Sequence, residues 1–454
     1  MSSTRRGPIK KTSAKSASRT DEVLNLAADF LDACNPRAAQ LIYEEALAAT
    51  PDDAILLDAL GEVLYELGDE DQAKARFLRS AEMSPGGGHA KWVHLGTMSE
   101  GNEAVGYFRR GISLLESRVM AASAAAKASF SSSSESIEML KRSLSNAYCS
   151  IAEIYMSDLC DEPEAEREAE SSAAAAVAAD GLNPDAHAVF ASVRLSQQRP
   201  LEASVMLKRA SALLEALCRD MEEDMLKEDD GDTGADDFNE DRGEATKMAM
   251  EEEEDVSTRE VSGGSGLRGG LSSASKEHAA AQSAALMPAY QSRLSLAKMC
   301  MEVELWTEAS DILDRLIAED DTVMEVWFLL GEAQLHSLDM SSAFDTVSTA
   351  AAIVSAAISS QGGGGGGSGG GGKKKGGSSS KIKNSSKAGF GEGAAIRSVT
   401  AEAIQNAPLE FSREVIEALL STPIEELNAQ LSQFSSLLET IKSRMGSAVD
   451  DVMT

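Results

Sequence analysis

Five histidines (His89, His94, His187, His278, His336) and five cysteines (Cys34, Cys149, Cys160, Cys218, Cys300) are the residues of this chain best suited to hold a metal or act as nucleophiles. Neither set has the spacing such chemistry needs. A zinc site wants paired ligands such as CxxC or HExxH, and the sequence has neither. The cysteines are dispersed and odd in number, which fits a reducing compartment. They are expected to pack as small hydrophobes, and the histidines to sit at helix surfaces or in loops. The run Gly367-Ser368-Gly369-Gly370-Gly371-Gly372-Lys373-Lys374 approaches a phosphate-binding loop, but Lys374 stands where Ser or Thr would hold magnesium and no strand leads into it. Carboxylates are plentiful yet sit in runs, where mutual repulsion and hydration are expected rather than a tuned acid/base pair. The residues therefore predict no enzyme, no cofactor and no metal.

The electrostatics are more informative. In 454 residues, 74 Asp and Glu oppose 42 Lys and Arg, a net charge of -32. Such a field repels nucleic acid and anionic membrane and favours a basic partner. No apolar run reaches the roughly 18 to 20 residues of a membrane helix; the nearest, Thr349 to Ile358, is short and rich in Ala and Ser. The first twenty residues carry Arg5, Arg6, Lys10, Lys11, Lys15 and Arg19 with no acid and no apolar core, so they read as a nuclear import signal or a plain basic tail, not a secretory leader.

What must position any binding residues is a repeat. Pro51 and Pro85 lie 34 apart, as do Ala39 and Ala73, Tyr43 and Phe77, Ala46 and Ser80, and Ala309 and Ala343. Leu60-Gly61 precedes Ala73, and Trp327, Leu330 and Gly331 fill the same slots farther on. This is the tetratricopeptide (TPR) pattern, in which small residues let two helices cross closely, large ones fill the space beside them, and proline ends the second helix. The expected fold is an all-α TPR solenoid of about seven units, starting near Asp21, Asp53, His89, Ser136, Asp185, Pro288 and Met324. The third unit should have a short first helix, because Gly101-Asn102 closes it early.

The expected domain plan is a disordered basic tail (1–20), the N-terminal part of the solenoid (21–218), an acidic disordered insertion (219–285), the C-terminal part (286–359), a Gly/Ser/Lys-rich loop (360–397), capping helices (398–446) and a tail (447–454). Asp220 to Asp255 holds 18 acids against three bases, too much charge to fold alone. Near the C-terminus, Thr422-Pro423-Ile424-Glu425 reads as a capping box with proline at the first helical position. Leu427, Leu431, Phe434, Leu438, Ile441 and Met445 then make an apolar stripe suited to sealing the last repeat.

The concave face of a TPR array is lined by the first helix of each unit. On that basis the candidate binding residues are Asp21 and Asp32 in the first unit, Asp58, Glu62, Tyr65 and Glu66 in the second, and Glu325, Phe328 and Glu332 in the last. Acids interspersed with aromatics suit a Lys/Arg-rich segment through charge-assisted and cation–π contacts.

Longer strings carry a narrower signal. Glu153 through Glu166, Ala191 through Arg199, Trp92-Val93-His94-Leu95-Gly96 with Gly101 through Gly111, and Ala318-Glu319-Asp320-Asp321 leading into Val326 through Gly331 resemble the eukaryotic family of dedicated assembly chaperones for ribosomal protein L4. The resemblance covers most of Asp21 to Leu217 and Pro288 to Ile358. It implies a non-enzymatic chaperone that captures newly made L4, shields its basic internal loop and delivers it for large-subunit assembly. It also implies work in cytoplasm and nucleus, with an import receptor as a further partner; a monomeric state is expected separately, because solenoids with sealed ends are commonly monomeric. The alternatives left open are a general TPR scaffold or a co-chaperone that grips a C-terminal carboxylate. The latter needs Lys, Asn and Arg in the groove, where this sequence has Leu24, Ala28, Asp58 and Glu62.

Overall fold

The computed structural model describes residues 10–128, 134–229, 286–362, 415 and 418–452. Among these there is no strand. Seven helical hairpins follow one another: α1 (Lys10–Asp32) with α2 (Pro36–Ala49), α3 (Ala54–Glu66) with α4 (Glu70–Met83), α5 (Ala90–Thr97) with α6 (Gly101–Ala128), α7 (Ser134–Met156) with α8 (Ala165–Ala179), α9 (Pro184–Ser196) with α10 (Pro200–Asp229), α11 (Tyr290–Glu302) with α12 (Trp306–Glu319), and α13 (Met324–His336) with α14 (Met340–Gly362). A single helix, α15 (Ile424–Val452), packs on α14 and α13. Two compact units are present, residues Met1–Leu213 with Pro288–Thr454, and residues Leu214–Met287. The hairpins belong to the first; the described part of the second is the C-terminal half of α10 and residues Leu286 and Met287.

One turn geometry recurs where the first helix of a hairpin meets the second. Cys34, Gly68, Gln198, Glu304 and Leu338 all take left-handed backbone, with φ between 53° and 80°. The next amide in each case bonds back to a carbonyl of the preceding turn: Asn35 to Phe30, Asp69 to Leu64, Arg199 to Arg194, Leu305 to Cys300 and Asp339 to Gln334, at 2.8 to 3.0 Å. This is the Schellman closure of a helix, which glycine makes with least strain. Only Gly68 is glycine. Leu338, at φ 68° and 76% exposed, carries a backbone strain that no packing offsets. Leu338→Gly should therefore raise stability by about 0.5–1 kcal/mol, read by urea denaturation.

Two helical turns before each of these left-handed residues stands Ala27, Gly61, Ala191, Ala297 or Gly331, all buried. The small side chain is a packing demand. A methyl built on Gly61 lies 2.7 Å from the Phe77 ring, and one on Gly96 lies 2.7 Å from Phe108. Each aromatic thus covers the helix backbone, which fixes how closely the two helices of a hairpin cross. Asp53, Asp69 and Asn183 cap α3, α4 and α9 through their side-chain oxygens.

Several details differ from the sequence reading. Helix α1 begins at Lys10, inside the segment expected as tail, because 10–32 contains neither Pro nor Gly and is rich in Ala and Lys. Likewise α10 runs to Asp229, into the acidic stretch; the rest of that stretch, the import-signal residues Arg5 and Arg6, and the glycine loop beyond Gly362 lie outside the described residues. Pro423 is the cap of α15, not its first helical residue, with its carbonyl accepting from Glu426 and Leu427. His187 is buried and its Nε2 lies 3.1 Å from the Gly181 carbonyl, while His94 stacks flat on Phe77. Cys149 and Cys300 are buried, but Cys34 and Cys160 are exposed because each falls in a turn between helices.

The two ends of the array differ. At the C-terminal end Leu427, Phe434, Leu438 and Ile441 of α15 are buried against α14 and its neighbours. At the N-terminal end Leu26 and Phe30 hold the register that Leu60 and Leu64 hold one repeat later. Those two leucines are 1% exposed, whereas Leu26 and Phe30 are 51% and 36% exposed.

Candidate functional site: an acidic face on the first helices

The second unit supplies the densest group of candidate residues. Asp58 and Glu62 are four apart on α3, and Tyr65 and Glu66 stand three and four beyond Glu62, so they line up toward α5, the first helix of the next unit. Asp58 is not free. Its Oδ2 accepts from Lys91 Nζ at 3.1 Å, and Lys91, wholly buried, also donates to Ser80 Oγ at 2.8 Å. Ser80 Oγ in turn donates to the Ala54 carbonyl, so α3, α4 and α5 are joined at one ammonium. Tyr65 is half-buried, its ring 5.1 Å from His94. Glu62 and Glu66 remain exposed. Partial loss of hydration first, then the charges of Asp58 and Glu66, pushes the Glu62 carboxyl above the usual range.

Asp21 and Asp32 lie exposed on α1, Asp32 as its last residue. In the last unit, exposed Glu325 accepts from Lys298 Nζ at 2.7 Å. Phe328 is partly covered by α15, its ring 6.1 Å from Phe434 in an edge-on contact. Glu332 lines a cleft of about 350 Å³ between α13 and α15 with His336 and Arg444. The candidate residues therefore form separate groups: α3 facing α5, and α13 facing α11 and α15.

Between these groups lies a site that the acidic candidates of the first, second and last units do not include. The first helices of units four, five and six, α7, α9 and α11, together wall a cleft of about 650 Å³. Its apolar lining includes Met156, Val189 and Met299, and its polar lining Asn146, Ser150, Ser192 and Ser295. Glu153 enters from α7 and Asp185 from α9. Loss of hydration raises both carboxyls; Asp185 adds to the rise at Glu153, while Arg142 and Arg293 moderate that at Asp185. Those guanidiniums are already committed, Arg142 to Asp180 at 2.6 Å and Arg293 to Glu319 at 2.6 Å. Lys298, also on the cleft wall, is the cation held by Glu325. A signal for Asp185 existed: it stands as far before the left-handed Gln198 as Glu325 stands before Leu338.

No group of three or more His, Cys, Asp or Glu suited to a metal occurs among the described residues. What the face offers is long-range attraction for cations, a cleft that removes water from whatever enters, and aromatic and thioether surface for alkyl stems.

Comparison with known proteins gives two curated relatives and a matching solved structure. The probable assembly chaperone of rpl4 from Schizosaccharomyces pombe is 26% identical over 299 residues, 64% of this chain and 67% of the relative. The protein of the same description from Emericella nidulans is 24% identical over 303 residues, and the match spans 57% of its length. A solved structure of residues 1-338 of an assembly chaperone of RpL4 (Acl4) superposes with a TM-score of 0.50 at 23% identity, covering 70% of this chain and 96% of that one, and shares the fold. No family model matches the chain.

Proposed function

We propose that this chain, which belongs to the TPR-containing family of assembly chaperones of ribosomal protein L4, acts as a non-enzymatic chaperone in L4 assembly. The acidic face of its first helices receives the basic internal loop of L4 in the place RNA will later take. The observation that carries the reading is the charge balance of that face. Glu62, Glu66, Glu153, Asp185 and Glu332 stand along α3, α7, α9 and α13, whereas Lys91 and Lys298 are each tied to an acid of the protein itself. A ribosomal protein before assembly displays Lys and Arg meant for rRNA, and the acids of the chaperone neutralise them until release. Delivery from cytoplasm to nucleus, with help from an import receptor, completes the proposal.

Exposed acid–base pairs contribute roughly 0 to 1 kcal/mol each, so affinity must come from many of them acting together. Such binding is screened by salt. The affinity of L4 for the full chain, measured by calorimetry, should fall at least about tenfold between 50 and 200 mM salt. An affinity unchanged over that range would discard the acidic face as the main attraction.

A further inference from the structure

We infer that the cleft between α7, α9 and α11 is an anchor pocket for one Lys or Arg side chain of the bound basic segment, held by Glu153 and Asp185 with its alkyl stem against Met156, Val189 and Met299. The inference rests on the chaperone reading and names the place within it where a single contact dominates. Elsewhere on the face Glu62 and Glu66 meet solvent, Asp58 holds Lys91, Glu325 holds Lys298, and Glu332 lines a smaller cleft that already contains Arg444. Glu153 and Asp185 are different. Asp185 is half-buried on the α9 wall, and Glu153, an exposed residue, stands on the α7 wall. The cations nearest to them are bound to other carboxylates at 2.6 to 2.7 Å.

A carboxylate that has lost hydration and is only partly compensated by cations bound to other acids is held in an unfavourable state, and a cation arriving from a partner relieves it. The relief is larger than at a fully solvated pair because an occupied cleft excludes water around the new contact. Its volume of about 650 Å³ exceeds what one side chain occupies, so backbone on either side enters too. The serines and Asn146 on the wall supply hydrogen bonds for that backbone. The consequence is register: a segment otherwise free to slide along an acidic face is fixed by the one residue seated here.

A double-mutant cycle tests this. L4 loop peptides in which each Lys or Arg is replaced singly by Met are titrated against the wild-type chain and against Glu153→Gln/Asp185→Asn. With the wild type, one position should lose about 30-fold in affinity or more and the rest no more than about threefold. In the double variant that same replacement should cost nothing further. Ser295→Trp, which narrows the cleft from the α11 wall and leaves both acids in place, should reproduce the loss. Evenly spread losses, or a dominant position equally costly in the double variant, would overturn the anchor while leaving the acidic face intact. Failure of the wild-type chain to bind L4 at all would instead overturn the chaperone reading.

Discussion

Phe434→Ala should cost the fold about 3–5 kcal/mol, seen as a shift of the urea midpoint. The ring is 1% exposed at the centre of a cluster that also contains Leu427, Leu438, Ile441, Val347, Ala350 and Val354. Truncation removes an aromatic that several helices share and leaves a cavity the helix backbones cannot close. Because α15 is the lid of the last hairpin, the loss falls on α13 and α14 as well. Cleavage by protease within 340–361 should therefore speed up in this variant while cleavage in α3 and α4 stays slow. A midpoint within about 1 kcal/mol of wild type would show that α15 is not a structural lid.

Asp58→Ala is the second. Acids on the candidate face would be expected to tolerate removal, but this one neutralises a lysine with no exposed surface. Removing it leaves an ammonium buried beside Ser80 alone, at a cost of about 3 kcal/mol. The double replacement Asp58→Ala/Lys91→Met takes both charges away and should recover most of that, since a paired buried charge seldom stabilises more than an apolar pair of similar volume. If the single and double variants are equally unstable, Lys91 is not held by Asp58 in solution. Glu62→Gln, one turn along the same helix, is the control: it should leave stability near wild type, because its carboxyl is exposed and has Asp58 and Glu66 for neighbours.

The repeat was legible because its packing rule is written in residue size. Gly61, Ala73, Phe77 and Ser80 occupy contacts that admit few alternatives, so the period survives in the letters. The left-handed turns were not legible, since Cys34, Gln198, Glu304 and Leu338 carry no glycine to mark them. Unit five was placed from Asp185 onward, but without those marks that acid was not aligned with Glu325 of the last unit, which stands the same distance before its own turn. Glu153 and Asp185 belong to different hairpins, and only stacking brings them to one cleft. Asp58 shows the converse. Its position on the candidate face was readable, but its commitment to Lys91 of the next unit depends on a lysine turning inward against the usual habit of its type.

The unequal ends of the array have a consequence for how the protein comes apart. A stack in which each hairpin leans on its neighbours can unravel only from an edge or through an unfavourable break in the middle. With α15 fastened over one edge, and Leu26 and Phe30 bare at the other, the easier route is to shed α1 and α2 first. The molecule has a seam at its N-terminal hairpin, so heat or force reaches the acidic cleft of the middle units only after the first three hairpins have come away.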